Sequence, residues 1–415
     1  MANRRVTHAL DVAFLVVILL PRMVRPAKFP RFTMTPRTKQ QLRKFFKNHA
    51  SDMADDQSRP GVGSSPSSPG QGTSGQSQAP ATNAGMYLYS YSVGTPPQSV
   101  SGALDISSEL VWTQCSCATC DDDVTTPPAT PFYPALSTTM AELPCTSSTC
   151  QDFVAQTCSA GTPAECGYTY VYRGGEANTT GHLATKAFTF GASRVDGVVF
   201  GCGLDSTGDF GGAPGVIGLG RAPLSLVSQL QAGRFSYYFA PDYSVGSDSF
   251  IRFGDDAAPQ TSRAISTPLL ASSHYPNAYL VGLAGVRVDG KDLAIPRGTF
   301  DLRKDGSGGV VLSIAVPVTF LEESAYKHLR QALSLATAKI PAVALVFDGG
   351  AVVELEVGNY FYMDAGSGLE CLTILPSSAG GVSLLGSLIQ AGTHMARRWR
   401  LNRSSRRRHR RIRLK

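Results

Sequence analysis

The chain has 415 residues, of which 42% are hydrophobic and 17% are charged, so it carries enough apolar material for a folded core. Its formal net charge of +7 is unevenly distributed, because residues 1–50 and 396–415 are rich in Lys and Arg whereas all the acids except Asp11 lie between them. A body with an acidic balance argues against a basic nucleic-acid-binding domain. At roughly 150 residues per domain, the length predicts two or three units.

Residues 1–25 have the layout of a secretory signal peptide, with Arg4 and Arg5 before an apolar run at residues 12–20. That run is much shorter than the roughly 18 residues that span a bilayer, so no membrane span is expected. The alternative is a buried strand or an untargeted tail. Residues 26–84 are first basic and then rich in Ser, Gly and Pro, which predicts a propeptide or linker. We therefore expect entry into the secretory pathway and an extracellular or vacuolar location.

Beyond the linker the sequence changes to short alternating runs, each broken by Gly, Pro, Asn or Asp. This pattern is typical of an all-β sandwich or barrel. We expect an N-terminal lobe at residues 85–257 and a C-terminal lobe at residues 258–395. Apolar residues spaced three and four apart predict one short helix in each half, at residues 224–230 and 324–333.

Seven of the nine cysteines lie between residues 115 and 166, which indicates a disulfide framework. The rival interpretation is a zinc site, because Cys117 and Cys120 have ligand spacing, but no second pair of ligands follows at finger distance. We therefore expect disulfides and neither a metal nor a cofactor. The odd count leaves at least one cysteine without a partner.

Asp105 is the first candidate for a chemical role, because it ends a predicted strand that follows the turn at residues 94–98. Taken alone, a carboxylate at this place is more often a solvated turn residue than a catalytic acid. The two halves also share an apolar-apolar-Gly element, at residues 216–218 and 384–386. This weak repeat is compatible with two related lobes.

Residues 87–115 read YLYSYSVGTPPQSVSGALDISSELVWTQC, and they resemble the first active-site segment of the plant-type, nepenthesin-like pepsin-family aspartic peptidases. Further segments similar to that family follow in order, and they read CGYTYVYRGG, GVIGLGRAPLSLVSQL, YLVGLAGVRVDGKDLAIP, GSGGVVLSIAVPVTFLEESAYKHLRQAL and GVSLLGSLIQAGTHM. Together they span about residues 86–395. The resemblance implies a bilobal, all-β pepsin-like fold in which two β-barrel-like lobes enclose a cleft.

The resemblance also implies two catalytic carboxylates about 3 Å apart that share one proton. Asp105 occupies the first of these positions, whereas the second family motif falls on residues 313–316, where Ser313 replaces the Asp. A Ser hydroxyl does not ionise at working pH, so the shared-proton arrangement lacks its second half. One alternative is that Asp301 or Asp305 substitutes from the preceding Gly-rich loop.

Other positions of both motifs differ from the family. Ile106 replaces a Thr whose hydroxyl bonds between the two active-site loops, and Ser107 replaces a Gly. Ala315 likewise replaces a Gly, and Val316 removes the matching hydroxyl. Tyr172 matches the flap tyrosine that packs over bound peptide in the family, although an ordinary strand aromatic is the alternative.

By the same resemblance, Cys371 and Cys202 correspond to family cysteines whose partners are absent from this chain. We expect both to remain unpaired and the cysteines from 115 to 166 to pair within the first lobe. After residue 395 the family continues with a closing strand, whereas residues 396–415 form a basic, non-family tail. We expect the second lobe to lack this strand, and we interpret the tail as an altered reading frame or splice end rather than a nuclear-localisation or RNA-binding run.

These observations predict a protein of aspartic endopeptidase ancestry whose catalysis is impaired by Ser313. The alternative is a non-catalytic binding or inhibitor protein on the same fold, and a third possibility is that the incomplete second lobe does not fold stably. We expect a monomer that binds a peptide or protein in the cleft, through Asp105 and Tyr172, and that does not bind nucleic acid.

Overall fold

The computed structural model describes residues 31–34, 87–116, 131–158, 165–172, 177–208, 210–241, 248–258, 264–335, 340–364, 369–399 and 410–414. This part is mostly β-structure with a few short helices, which confirms the predicted all-β class. None of the helices in these residues is long and apolar enough to cross a membrane.

The strands are, in chain order, β1 (Arg31–Met34), β2 (Leu88–Val93), β3 (Gln98–Asp105), β4 (Val111–Gln114), β5 (Ala141–Glu142), β6 (Gly167–Val171), β7 (Asn178–Phe190), β8 (Ser193–Thr207), β9 (Gly215–Gly218), β10 (Arg234–Tyr238), β11 (Ser249–Phe253), β12 (Ile265–Leu270), β13 (Tyr279–Val281), β14 (Leu283–Val288), β15 (Lys291–Asp292), β16 (Val310–Leu312), β17 (Thr319–Leu321), β18 (Val343–Phe347), β19 (Val352–Leu355), β20 (Phe361–Asp364), β21 (Leu369–Leu372), β22 (Ile374–Pro376), β23 (Ser383–Leu385), β24 (Met395–Trp399) and β25 (Arg410–Leu414). The helices are α1 (Ser148–Gln151), α2 (Leu226–Gln229), α3 (Glu323–Ser334), α4 (Val357–Tyr360) and α5 (Ser387–Gln390), with 3-10 turns at Pro134–Leu136 and Gly254–Ala257.

The first lobe is built on six strands that close into a barrel. Hydrogen-bonded neighbours follow the order β2-β3-β9-β4-β8-β7, and β7 pairs back with β2 through Ser92 opposite Thr189. The barrel interior holds aromatic side chains such as Tyr91, Phe188 and Phe200, each at most 3% exposed. Closure leaves this ring without a free edge, so its backbone groups are satisfied internally.

An eleven-stranded sheet joins the two halves of the chain, in the order β1-β11-β10-β24-β25-β12-β13-β16-β23-β17-β22. A four-stranded sheet, β15-β14-β18-β19, and the hairpin of β20 and β21 complete the second half. Side chains that are fully buried on the core face of the large sheet include Phe235, Ile251 and Tyr279. This core links the two halves because it forms one continuous apolar cluster.

The chain after residue 395 forms two strands of the large sheet, so the expectation that the closing strand is missing is wrong. β24 pairs with β10, where Ala396 lies opposite Ser236. β25 then pairs with β24 and with β12, where Leu414 lies opposite Ile265. A strand ladder is made by backbone groups, so a basic segment can complete it as well as the family sequence would.

Both helices predicted from apolar spacing are confirmed as α2 and α3. α3 begins after Glu322, whose side chain accepts hydrogen bonds from the backbone N–H groups of Ser324 and Ala325 at 2.8 and 3.3 Å. Its buried side, which includes Ala325 and Leu329, packs on the core at the predicted spacing. The remaining helices have four residues each, too few to show a helical period in the sequence.

Among the described residues, the first lobe contains three disulfides, Cys115–Cys202, Cys145–Cys158 and Cys150–Cys166. The prediction that Cys202 stays unpaired is therefore wrong. β4 and β8 pair in parallel with Thr113 opposite Cys202, which brings the Cα atom of Cys115 to 5.4 Å from that of Cys202. Two residues 87 positions apart meet through sheet pairing, which the comparison of local segments could not reveal.

Cys371 is the one free cysteine in the part of the chain that the structure describes, in agreement with the prediction. The sulfur atoms of Cys145, Cys150 and Cys158 lie close together, but they belong to two disulfides and offer no thiolate to a metal. Cys117 and Cys120, which suggested the zinc alternative, lie outside the described residues.

The predicted signal peptide lies outside the described residues, and so does most of the predicted linker. β1 is the described piece of this N-terminal region. It pairs antiparallel with β11, with Arg31 opposite Arg252 and Met34 opposite Ser249. It forms one outer strand of the large sheet.

Candidate functional site

Asp105 ends a strand–loop–strand unit in the first lobe. β3 runs parallel to β9, with Leu104 opposite Ile217 and Asp105 opposite Gly218. After the loop, β4 returns antiparallel along the other side of β9. Gly218 is required at this crossing, because a Cβ atom there would clash with the backbone of Glu109.

Ser313 occupies the corresponding place in a second unit of the same topology. β16 runs parallel to β23, with Leu312 opposite Leu385, and β17 returns antiparallel along β23. Gly386 follows β23 as Gly218 ends β9, and a Cβ atom at Gly386 would clash with the backbone of Val318. The weak repeat seen in the sequence is thus a repeat of this unit, and it aligns Ser313 with Asp105.

Asp105 is only 3% exposed, and its carboxylate is held by its own loop. Its Oδ1 atom accepts hydrogen bonds from the backbone N–H and the hydroxyl of Ser107, at 2.8 and 2.5 Å. Its carbonyl oxygen accepts a hydrogen bond from the N–H of Leu219 at 2.7 Å. Ser107, which the family comparison marked as a substitution, therefore fixes the orientation of this carboxylate.

Ser313 is equally buried at 3% exposure, and its backbone is anchored on both sides. Its N–H donates to the carbonyl of Leu385 at 3.0 Å, and its carbonyl accepts from the Gln390 side chain at 2.8 Å. None of residues 313–316 is acidic. Asp301 and Asp305 are exposed, and the Asp305 carboxylate bonds to Ser307 within its own loop, so neither replaces the missing carboxylate.

Apolar side chains follow both motif positions. Ile106 and Ile314, each following a motif position, are fully buried in the same apolar cluster. Ala315 belongs to the buried cluster around Trp112, whose other buried members all lie in the first lobe. Neither Ile106 nor Val316 offers a side-chain donor or acceptor, so these positions cannot form the hydroxyl bonds that the resemblance implies between the loops.

Tyr172 follows β6, and its ring lies among other aromatic side chains. The indole N–H of Trp112 donates to the Tyr172 hydroxyl at 2.6 Å, and Phe210 packs edge-on at 5.3 Å between ring centres. Burial raises the pKa of Tyr172 well above its usual range, with smaller contributions from Tyr170 and from the charge of Asp105. The phenol is therefore neutral at any working pH, and it lies close enough to Asp105 to sense its charge.

Trp112 was not singled out in the sequence, although it anchors Tyr172. It is 1% exposed and lies on β4, directly after the Asp105 loop. The sequence did offer one signal for a role of Trp112, namely its place in the family-like segment, seven residues after Asp105. Tyr170 was also missed, and its hydroxyl accepts a hydrogen bond from the Glu109 N–H at 3.3 Å.

A set of polar contacts fastens the second half of the chain directly behind the Asp105 loop. The Tyr279 hydroxyl donates to the carbonyl of Leu219 at 2.9 Å. Arg221 donates through its guanidinium to the carbonyl of Leu270 at 2.9 Å and through its backbone N–H to that of Asn277 at 3.2 Å. The carboxyl of Glu109 bonds in turn to the Asn277 side chain. We call these four residues, Glu109, Arg221, Asn277 and Tyr279, the interlobe bridge.

Glu109 should make the folded protein more stable in acid than at neutral pH. Its side chain is nearly buried, and burial raises its pKa above the ordinary 4.5, although hydrogen bonds from Asn277 and from the Leu224 backbone oppose this. A raised pKa in the folded state adds stability that is complete below about pH 4.5 and is lost as pH rises through the folded-state pKa.

The Glu109→Gln variant mimics the protonated acid, so we expect it to remove this part of the pH dependence and to unfold at higher urea than the parent at neutral pH. The measurement is the urea midpoint at a series of pH values. If the urea midpoints of parent and variant had the same pH dependence, ionisation of Glu109 would carry no cost in folding stability, and the prediction would be wrong.

The sequence is similar to two protein-family models and to plant aspartic proteinases. Two family models match the chain, one described as xylanase inhibitor N-terminal over residues 87–255 and one described as xylanase inhibitor C-terminal over residues 278–340. The chain is 36% identical over 337 residues to aspartic proteinase nepenthesin-2 of Nepenthes gracilis, covering 75% of this chain and 74% of that protein. It is 33% identical to aspartyl protease 37 of Oryza sativa subsp. japonica, covering 74% and 76% of the two chains.

Among solved structures, the fold is similar to conglutin gamma from lupine seeds, with a TM-score of 0.59 and 19% identity over 81% of this chain and 92% of that one. It is also similar to basic 7S globulin from soybean, with a TM-score of 0.60 and 19% identity over 81% and 93% of the two chains. At such low identity these two likenesses concern the fold alone.

Proposed function

The chain belongs to the plant pepsin-like aspartic peptidase family, and from this premise we propose that it binds peptide or protein segments in the cleft between its lobes while being impaired in cleaving them. The observation that carries the proposal is the identity of Ser313. It occupies the same place in the second copy of the repeated unit that Asp105 occupies in the first copy.

Peptide hydrolysis by this family needs two carboxylates that share a proton, because one must activate water while the other donates to the carbonyl oxygen. The Ser313 hydroxyl can donate a hydrogen bond but does not ionise, so the proton that Asp105 would exchange has no second acceptor. Loss of one member of an acid–base pair typically costs about 100- to 10,000-fold in rate.

Binding does not need the second carboxylate. The proposed contacts for a bound peptide are Asp105, oriented by Ser107, and Tyr172, oriented by Trp112. The hydrogen bonds of the interlobe bridge hold the backbone next to the Asp105 loop. These groups are already ordered, so a ligand would pay little for arranging them.

A second candidate is inhibition of a carbohydrate-degrading enzyme from the lobe surface. The observation that favours it is the description of both matching family models as xylanase inhibitor domains. In that role the chain would present loops to an enzyme, and changes at Tyr172 or Asp105 would leave inhibition intact. An endoxylanase assay with added protein separates this candidate from peptide binding.

We further propose that the protein enters the secretory pathway, acts outside the cell or in the vacuole, and is a monomer. Three disulfides support the compartment, because such bonds persist in oxidising surroundings. Size-exclusion chromatography with light scattering measures the oligomeric state directly.

Peptide binding is tested by fluorescence anisotropy with labelled peptides of mixed sequence, followed by mass spectrometry of the recovered peptide. We expect saturable binding of intact peptide, weakened at least about tenfold by Tyr172→Ala. Tyr133→Ala is the matched control, since Tyr133 is 41% exposed and makes no contact with this site in the described residues. Equal loss in both variants, or no binding by the parent, contradicts the proposal.

A further inference from the structure

One face of the large sheet collects arginines from distant parts of the chain. Across β1, β11 and β10, Arg31 lies opposite Arg252, which lies opposite Ser236. The row continues across β24 and β25, where Ser236 lies opposite Ala396 and Ala396 opposite Arg413. Residues that are directly paired across strands lie on the same face of a sheet. The first row therefore places Arg31, Arg252 and Arg413 on one face.

A second row lies two residues further along the same strands. Arg234 on β10 lies opposite Arg398 on β24, which lies opposite Arg411 on β25. Because side chains in a strand alternate between faces, Arg234 shares the face of Ser236 and hence of the first row. We call these six residues the arginine face, and they are Arg31, Arg234, Arg252, Arg398, Arg411 and Arg413.

The charge of the arginine face is almost uncompensated by its own strands. None of β1, β10, β11, β12, β24 and β25 contains an Asp or Glu. The ion pair found at this face among the described residues joins Arg234 to Asp255 at 3.4 Å, and the Asp255 side chain is 87% exposed. An exposed pair of this kind contributes little, so it does not neutralise the face.

Aromatic rings accompany these arginines. Tyr238 and Phe250 lie opposite each other on the same face and stack with 5.6 Å between ring centres. The Arg252 guanidinium lies over the Phe250 ring at 4.0 Å. Both rings are half-buried, so part of each remains accessible. A ring beside a guanidinium suits a ligand that carries both a sugar ring and an acid group.

The arrangement fits an extended ligand better than a small ion. Neighbouring strands lie about 4.8 Å apart. The first row runs across five strands and the second across three, so the two rows form an extended array. A single small anion would contact one or two of the six arginines, whereas a linear polyanion would contact both rows. Arginine is suited to carboxylates because its planar fork donates two parallel hydrogen bonds.

We propose that the arginine face binds a linear acidic polysaccharide through the carboxylates of its uronic acid units. The proposed extracellular or vacuolar compartment, which the three disulfides support, favours this class over nucleic acid. The proposal is independent of the cleft, since none of the six arginines belongs to the site around Asp105.

The test is a titration of the full chain with polygalacturonate by calorimetry at several salt concentrations. We expect binding that weakens as salt rises, as counterions released from the polymer dictate. The variant Arg234→Gln with Arg252→Gln should bind about tenfold more weakly, with a shallower salt dependence. The circular dichroism spectra of this double variant and of the control variant described next must match the spectrum of the parent.

The matched control is Arg194→Gln with Arg287→Gln, which removes the same charge from an exposed and a half-buried arginine, paired with Asp196 and Asp292. We expect it to change the affinity less than twofold. Equal weakening by both double variants would mean that only net charge matters, and this would overturn the proposal. So would equal binding of fully methyl-esterified polygalacturonate, or tighter binding of double-stranded DNA or of vesicles of anionic phospholipid.

Discussion

The purified chain should cleave a denatured protein substrate at least about 100-fold more slowly than an active relative does, at any pH from acidic to neutral. The reason is that Ser313, which does not ionise, occupies the place in the second unit that Asp105 occupies in the first. Electrophoresis of the substrate over time measures this. Cleavage that pepstatin abolishes would contradict it.

The single substitution Ser313→Asp should not restore normal activity. It would recreate the like-charge pair, but Ser107 would still hold Asp105 through two hydrogen bonds to one oxygen. Ile106 and Ala315 would still pack where the family has a hydroxyl and a glycine. A displacement of about 1 Å at reacting atoms can cost on the order of 100-fold in rate.

A stepwise series separates the contributions. Ser313→Asp is compared with the same change combined with Ile106→Thr, Ser107→Gly and Ala315→Gly, and we expect activity to rise in the combination beyond the single variant. Asp105→Asn added to the combination is the control and should abolish the recovered activity. Full activity from Ser313→Asp alone would show that the loop substitutions are tolerated.

Arg397→Met should stabilise the protein by about 3 kcal/mol. Burial lowers the pKa of Arg397 to about 10, from the ordinary 12.5, and each unit of pKa corresponds to about 1.4 kcal/mol. Replacing a buried charge that has no carboxylate partner by an apolar side chain of similar length removes this cost. The urea midpoint, followed by circular dichroism, measures the change.

The surroundings of Arg397 explain the cost. It is 2% exposed on the core face of β24, opposite Phe235, and its guanidinium stacks on the ring of Tyr279. None of its side-chain nitrogens has a hydrogen-bond partner of standard geometry among the described residues. The nearby Tyr237 hydroxyl donates to Gln390 at 2.6 Å, and the Tyr279 and Tyr237 side chains only partly offset the effect of burial on the pKa of Arg397.

Arg397→Lys keeps the charge and should bring no gain in stability, which makes it the control. The guanidinium stays protonated at all pH values below about 10, so the gain from Arg397→Met should be the same at pH 5 and pH 8. A loss of stability in Arg397→Met would show that the cation has a favourable partner in the folded protein. This lack of pH dependence distinguishes the effect from that of Glu109.

Local sequence was sufficient for several features. The alternation of apolar and polar residues predicted the β class, and apolar spacing predicted α2 and α3, because both patterns arise from neighbours along one element. The identity of Ser313 at the second motif was equally local. The structure adds that Asp105 and Ser313 occupy equivalent places beside β9 and β23.

The sequence by itself determined the fold class, the family and the absence of a carboxylate at residue 313, since each is read from residue types within short local segments. Only the tertiary structure decided that Cys202 pairs with Cys115, that the basic tail supplies two strands, and that Arg397 is buried while the next residue, Arg398, belongs to the arginine face. These outcomes depend on strand pairing between segments far apart in the chain. The backbone groups that make such pairs are the same in every residue except proline, so local composition does not reveal which strands will meet.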